Sequence, residues 1–146
     1  LEDCAAVAEL DLRGTVLQSI GDFSFWACSA LASVQFPASL RKIRSHVFYS
    51  CALRRLDLSN TSLVKIGDGF MDACRTLVSI TLPRTVVKIG DGAFEECDAL
   101  VDVDFTAEGV MISIEALFLA TCARSSLSVT NVYRSVGGGI TVFAER

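Results

Sequence analysis

Short apolar-polar-apolar triplets recur along the chain: Leu10-Asp11-Leu12, Val34-Gln35-Phe36, Leu56-Asp57-Leu58, Ile80-Thr81-Leu82, Val103-Asp104-Phe105 and, more loosely, Leu127-Ser128-Val129. Alternation with a period of two predicts strands whose outer residues face a core and whose middle residue faces solvent. A second segment follows most of them and ends in isoleucine: Leu17-x-x-Ile20, Leu40-x-x-Ile43, Leu63-x-x-Ile66 and Val86-x-x-Ile89. Between each isoleucine and the next strand lies a stretch such as Gly90-Asp91-Gly92-Ala93-Phe94-Glu95-Glu96-Cys97, which predicts a turn running into one short helical turn.

The cysteines give the period. Cys4, Cys28, Cys51, Cys74, Cys97 and Cys122 are separated by 24, 23, 23, 23 and 25 residues, a regularity that marks a repeat. Ile20, Ile43, Ile66, Ile89 and Ile114 lie eight residues before the last five, and Phe25, Phe48, Met71, Phe94 and Leu119 lie three before them. All of these are inward positions of one unit. A unit of this size buries too few side chains to repay its own ordering, so it is stable only when stacked on neighbours.

The run Leu77-Val78-Ser79-Ile80-Thr81-Leu82-Pro83-Arg84-Thr85-Val86-Val87-Lys88-Ile89-Gly90-Asp91-Gly92-Ala93-Phe94-Glu95-Glu96-Cys97 resembles the BspA-type leucine-rich repeat, and Leu31 to Cys51 keeps Pro37, Ser39, Ile43 and Phe48 of the same pattern. The resemblance covers residues 4 to about 122. It implies an α/β fold, a right-handed leucine-rich-repeat solenoid with a parallel concave sheet, short second strands and one-turn helices. Residues 1–128 are expected to form about six repeats, and 129–146 an irregular C-terminal cap turned by Gly137-Gly138-Gly139. Two departures stand out. The third strand begins one residue early after Cys51, which predicts a local bulge, and the turn before Ile114 is two residues longer, with Glu108 and Gly109.

Composition removes several functions. With 17 acidic against 13 basic residues there is no cationic excess to neutralise a phosphate backbone, so nucleic acid is not an expected partner. The uncharged stretch from Phe23 to Leu40 contains Pro37, Gln35 and four serines, and the one from Val110 to Ala123 carries Glu115; both read as repeat core, and no membrane insertion is expected. The chain opens at Leu1 without a basic and then apolar leader, which reads as a fragment of a longer protein.

No catalytic site emerges. His46 is the only histidine and occupies a turn position filled elsewhere by Phe23, Gly69 and Gly92. There is no nucleophile-base pair, and the triple glycine lacks the Lys-Ser/Thr of a phosphate loop. Metal sites group cysteines two to four residues apart, whereas these lie 23 to 25 apart, and no cofactor is implied. Side chains stacked in register point the same way and do not close to disulfide geometry, so the cysteines are expected to be buried free thiols packing as small apolar groups.

Two surfaces remain. Gly21, Gly67 and Gly90 follow the ladder isoleucines as turn residues; Lys42, Lys65 and Lys88 form a basic column before them, and Asp22, Asp68 and Asp91 an acidic column after. These stripes either neutralise each other or form a basic docking stripe. On the concave side the outward positions form two columns, Asp11, Gln35, Asp57, Thr81, Asp104 and Glu9, Ser33, Arg55, Ser79, Asp102. The candidate protein-binding residues are Asp11, Gln35, Arg55, Asp57, Ser79, Thr81, Asp102 and Asp104, against the plainer reading that they only keep the strands soluble.

The expected role is a non-catalytic protein-protein interaction scaffold within a larger protein or assembly, its N-terminal face (Val7, Leu10, Leu12) covered by further repeats or another subunit. An extracellular adhesin or surface antigen of a microbe or protist is the alternative that the resemblance allows.

Overall fold

The computed structural model describes residues 4–105 and, beyond them, the backbone of four short strands between Val110 and Tyr133. The chain winds as a parallel-strand solenoid. The triplets form β1 (Glu9–Asp11), β3 (Ser33–Gln35), β5 (Arg55–Asp57), β7 (Ser79–Leu82), β9 (Asp102–Phe105) and β12 (Ser128–Thr130). The isoleucine segments form two-residue strands β2 (Ser19–Ile20), β4 (Lys42–Ile43), β6 (Lys65–Ile66), β8 (Lys88–Ile89) and β11 (Ser113–Ile114). The remaining pair, β10 (Val110–Met111) and β13 (Val132–Tyr133), run parallel to each other.

The second set forms one unbroken parallel sheet, β2-β4-β6-β8-β11, with Ile20, Ile43, Ile66, Ile89 and Ile114 in register. The first set is interrupted: β1 pairs with β3, and β5-β7-β9-β12 form a separate four-stranded sheet. The break falls between β3 and β5, where the strand starts one residue early, so the one-residue slip costs a ladder and is more than a bulge within one. The cap expected over 129–146 and the Cys122 position lie largely or wholly outside the described residues.

The expected one-turn helices do not form among the described residues, and the α/β description is corrected accordingly. In a helix each N–H is spent on its own coil. Here every second donor crosses to the next coil instead: Phe23, Phe25 and Ala27 donate to the carbonyls of Ser45, Val47 and Tyr49, at 3.1, 2.9 and 2.9 Å. His46, Phe48 and Ser50 repeat this toward Asp68, Phe70 and Asp72, and Gly69, Met71 and Ala73 toward Asp91, Ala93 and Glu95. The donors between them close tight turns, such as Trp26 to Phe23 and Cys28 to Phe25. Turning without a helix requires left-handed backbone at two positions per coil: Phe23 and Ala27, His46 and Ser50, Gly69 and Ala73, Gly92 and Glu96. Most of these are not glycine, a local strain that the inter-coil bonds must hold in place.

Inside, the inward columns are buried almost completely, from Leu31, Leu53, Leu77 and Leu100 to Ile43, Ile66 and Ile89. The phenylalanine column runs Phe25, Phe48, then Met71, then Phe94, and the gap at Met71 is filled from the neighbouring position. Phe70 is fully buried there, edge-on to Phe48 at 5.6 Å and to Phe94 at 6.1 Å, while the equivalent positions hold the smaller Val47 and Ala93. Volume is thereby conserved from coil to coil.

The five described cysteines, Cys4, Cys28, Cys51, Cys74 and Cys97, are free, and all but Cys4 are buried. They do more than fill space. The thiols of Cys51, Cys74 and Cys97 donate to the carbonyls of Phe25, Phe48 and Met71 in the preceding coil, at 3.0, 2.9 and 3.1 Å. At the opposite corner Ser39, Ser62 and Thr85 donate hydroxyls to Leu17, Ala38 and Leu63 of the coil before. Corner carbonyls that no strand can reach are thus satisfied by side chains, which removes the cost of burying them unpaired.

Candidate binding surface

The first-sheet columns exist, in two blocks. Register places Asp57, Thr81 and Asp104 opposite one another, with Arg55, Ser79 and Asp102 beside them. Asp11 lies opposite Gln35 and Glu9 opposite Ser33, but the ladder break separates this pair of strands from the rest. Neighbouring strands lie about 4.8 Å apart, so each block presents its polar groups as a tight line.

Several of these groups already have local duties. Asp11 accepts from the backbone N–H of Arg13 at 3.0 Å and forms an ion pair with its guanidinium at 2.7 Å. The Arg13 hydrogen bonds hold the Asp11 carboxyl down at about 2. Asp57 accepts from the N–H of Ser59 at 2.8 Å, the same turn at the same place in the repeat. The aspartates that close β1 and β5 therefore have a structural use, and the second carboxylate oxygen of Asp57 takes no hydrogen bond among the described residues. Around the first two strands an open cleft of about 570 Å³ is lined by Glu9, Asp11, Arg13, Ser33 and Gln35.

On the second sheet the lysines stack in register, Lys42 against Lys65 and Lys65 against Lys88. The aspartates are committed elsewhere: Asp22 accepts from the N–H of Ser45 and pairs with Arg44, and Asp68 accepts from the N–H of Asp91. Among the described residues Lys42 and Lys65 make no ion pair with that column. Asp22 and Asp68 instead fasten one coil's turn to the next. The lysines line an open cleft of about 340 Å³ with Asp22, Arg44, Ser45 and Asp68.

Sequence reading missed a third feature, on the turn side. Phe23 and His46 stack at 5.4 Å with planes 5° apart, Trp26 and Tyr49 stack at 3.9 Å with planes 11° apart, and Phe23 meets Trp26 edge-on at 5.3 Å. Phe23 is exposed, and the other three rings are partly so. His46 sits within this cluster, stacked on Phe23 and edge-on to Trp26. Its ring lies over Gly69, where a Cβ would collide with it, and its Nδ1 is buried without a hydrogen-bond partner. The signal was available in the 23-residue spacing of Phe23 from His46 and Trp26 from Tyr49, but single aromatic residues in turns do not announce a cluster.

No group of three or more potential metal ligands occurs among the described residues, and no helix among them is long and apolar enough to cross a membrane.

Comparison with known proteins agrees with this architecture. The chain is similar to a leucine-rich repeat protein of T. pallidum, with 28% identity and a TM-score of 0.68 over 88% of this chain. It is also similar to a leucine-rich repeat protein from Bacteroides ovatus, with 15% identity and a TM-score of 0.33 over 90% of this chain, a likeness too loose to bear on the fold. The chain spans 57% and 62% of the lengths of those two proteins. No curated protein sequence matches it. The BspA type leucine rich repeat region matches in six copies over residues 2–128, and the chain belongs to that family.

Proposed function

We propose that the chain is a non-catalytic protein-interaction scaffold, part of a larger protein or assembly, that presents the outward face of its first sheet to a protein partner. The observation that carries this reading is the register of Asp57, Thr81 and Asp104 beside Arg55, Ser79 and Asp102, polar groups on a rigid sheet with no core to fill. Protein binding is the usual role of leucine-rich repeats, and the family match supports it. Asp11 and Gln35 extend the surface beyond the ladder break.

Residues 1–128 form the solenoid in this reading and 129–146 close it. Its N-terminal face is covered by further repeats or another subunit. Support for the covering comes from Cys4, Val7, Leu10, Leu12 and Leu17, which are only partly buried although Cys28, Leu31, Val34, Phe36 and Leu40 at the same repeat positions are buried.

The acidic columns steer a basic segment, an attraction that weakens as salt screens it. Asp57→Lys combined with Asp104→Lys is expected to weaken binding of the native partner by about tenfold or more and to flatten its salt dependence. Unchanged affinity and an unchanged salt slope in a titration would move the site off this face.

A further inference from the structure

The turn side carries a column that changes character along the solenoid. Trp26, Tyr49, Asp72 and Glu95 occupy one repeat position, 23 residues apart, so two aromatic rings are followed by two carboxylates. The backbone bonds from Ala27, Ser50 and Ala73 to the carbonyls of Tyr49, Asp72 and Glu95 hold these four in adjacent coils at 2.9, 2.9 and 2.8 Å. The flanking column runs Phe23, His46, Gly69, Gly92, rings giving way to bare backbone.

This arrangement builds a step. The stacked Trp26 and Tyr49 rings are followed by Asp72, in the coil after Tyr49, whose side chain is much shorter, while the space over Gly69 beside it is filled by the His46 ring. Tyr49 and Asp72 are both partly exposed, and Asp72 and Glu95 carry no ion pair among the described residues. Arg75 pairs with Glu96 at 2.6 Å. Burial and the closeness of Glu95 and Glu96 push the Asp72 carboxyl up, against a smaller downward pull from His46 and from the Ala73 backbone.

We propose that this face is a second docking surface, distinct from the first sheet, which takes an arginine-bearing segment of a protein partner: the guanidinium stacks on the outer face of Tyr49 and pairs with Asp72, with Glu95 drawing the next basic residue. An aromatic face and a carboxylate side by side select a planar cation that stacks and forks. Arginine does both, whereas the compact, strongly hydrated ammonium of lysine does neither well. The acidic shoulder repels phosphates, so a nucleic acid is disfavoured, and tryptophan and tyrosine are the residues that most often anchor protein interfaces.

Trp26 is the only tryptophan and sits in the column, so its emission reports on this face alone. An end-blocked hexaarginine peptide is expected to change that emission saturably, and hexalysine to bind at least about fivefold more weakly. Asp72→Asn with Glu95→Gln, which keeps all four rings, should weaken the hexaarginine response about tenfold. Asp68→Asn with Asp91→Asn changes net charge equally beside the second sheet, keeps the Oδ1 that accepts from the residue 91 N–H, and should leave the response in place. The proposal is overturned by an emission that does not respond, by hexaarginine and hexalysine acting alike, or by equal loss in both double variants. None of these outcomes depends on which partner occupies the first sheet.

Discussion

Gly67→Ala is expected to destabilise the protein by about 3 kcal/mol, while Gly21→Ala, at the same repeat position, changes stability by less than about 0.5 kcal/mol. The difference lies in what each glycine rests on. A Cβ at Gly67 would lie 2.5 Å from the Arg44 carbonyl carbon and 2.7 Å from its oxygen and from the Ser45 nitrogen, all backbone atoms of the preceding coil. None can move without breaking the Gly67 N–H bond to Ile43 or the Asp22 bond to Ser45. At Gly21 the nearest atom is the Ser24 hydroxyl at 3.6 Å, an ordinary contact. Urea unfolding of the two variants measures this directly, since the midpoint shifts in proportion to stability when the slope is unchanged. Equal midpoints would mean that the coils are less tightly stacked than described.

The second large effect is on thiol reactivity. Burial pushes the Cys51 and Cys74 thiols from 9.0 up to about 12. At pH 8 the reactive thiolate of each is then scarcer than in an unfolded chain by on the order of a thousandfold. A disulfide reagent added to the native protein should modify the half-buried Cys4 first and leave Cys28, Cys51, Cys74 and Cys97 untouched, whereas all six cysteines react in denaturant. A mass showing paired cysteines, or rapid native labelling of Cys74, would contradict it. The sign of the linked pH effect follows. The folded chain keeps protons that the unfolded chain loses above about pH 9, so these thiols support stability below that pH and withdraw the support as pH rises toward 12.

The solenoid, its strands and its core columns were legible because each depends on residues that recur at one period. Ile43, Ile66 and Ile89 announce the second sheet, and the early strand after Cys51 announces the place where the first sheet breaks. The turns were not legible. Gly-Asp-Gly-Ala-Phe suits a short helix locally, and only a neighbouring coil offering carbonyls to every second N–H makes left-handed residues such as Ala73 and Glu96 the better arrangement. The burial of Phe70 was likewise not legible, because it depends on Met71 standing where the neighbouring coils have Phe48 and Phe94, and on the smaller Val47 and Ala93 in its own column. The polar columns were readable as positions, but the engagement of Asp11 by Arg13 and of Asp22 and Asp68 by backbone N–H groups required the folded geometry.

The partner is expected to bind on the first sheet, where Asp57, Thr81 and Asp104 stand in register. A photo-crosslinking side chain placed at Thr81, in the middle of that face, should capture the native partner, while the same group at the exposed Val87 beside the second sheet should not. Capture from Val87 with none from Thr81 would contradict the account.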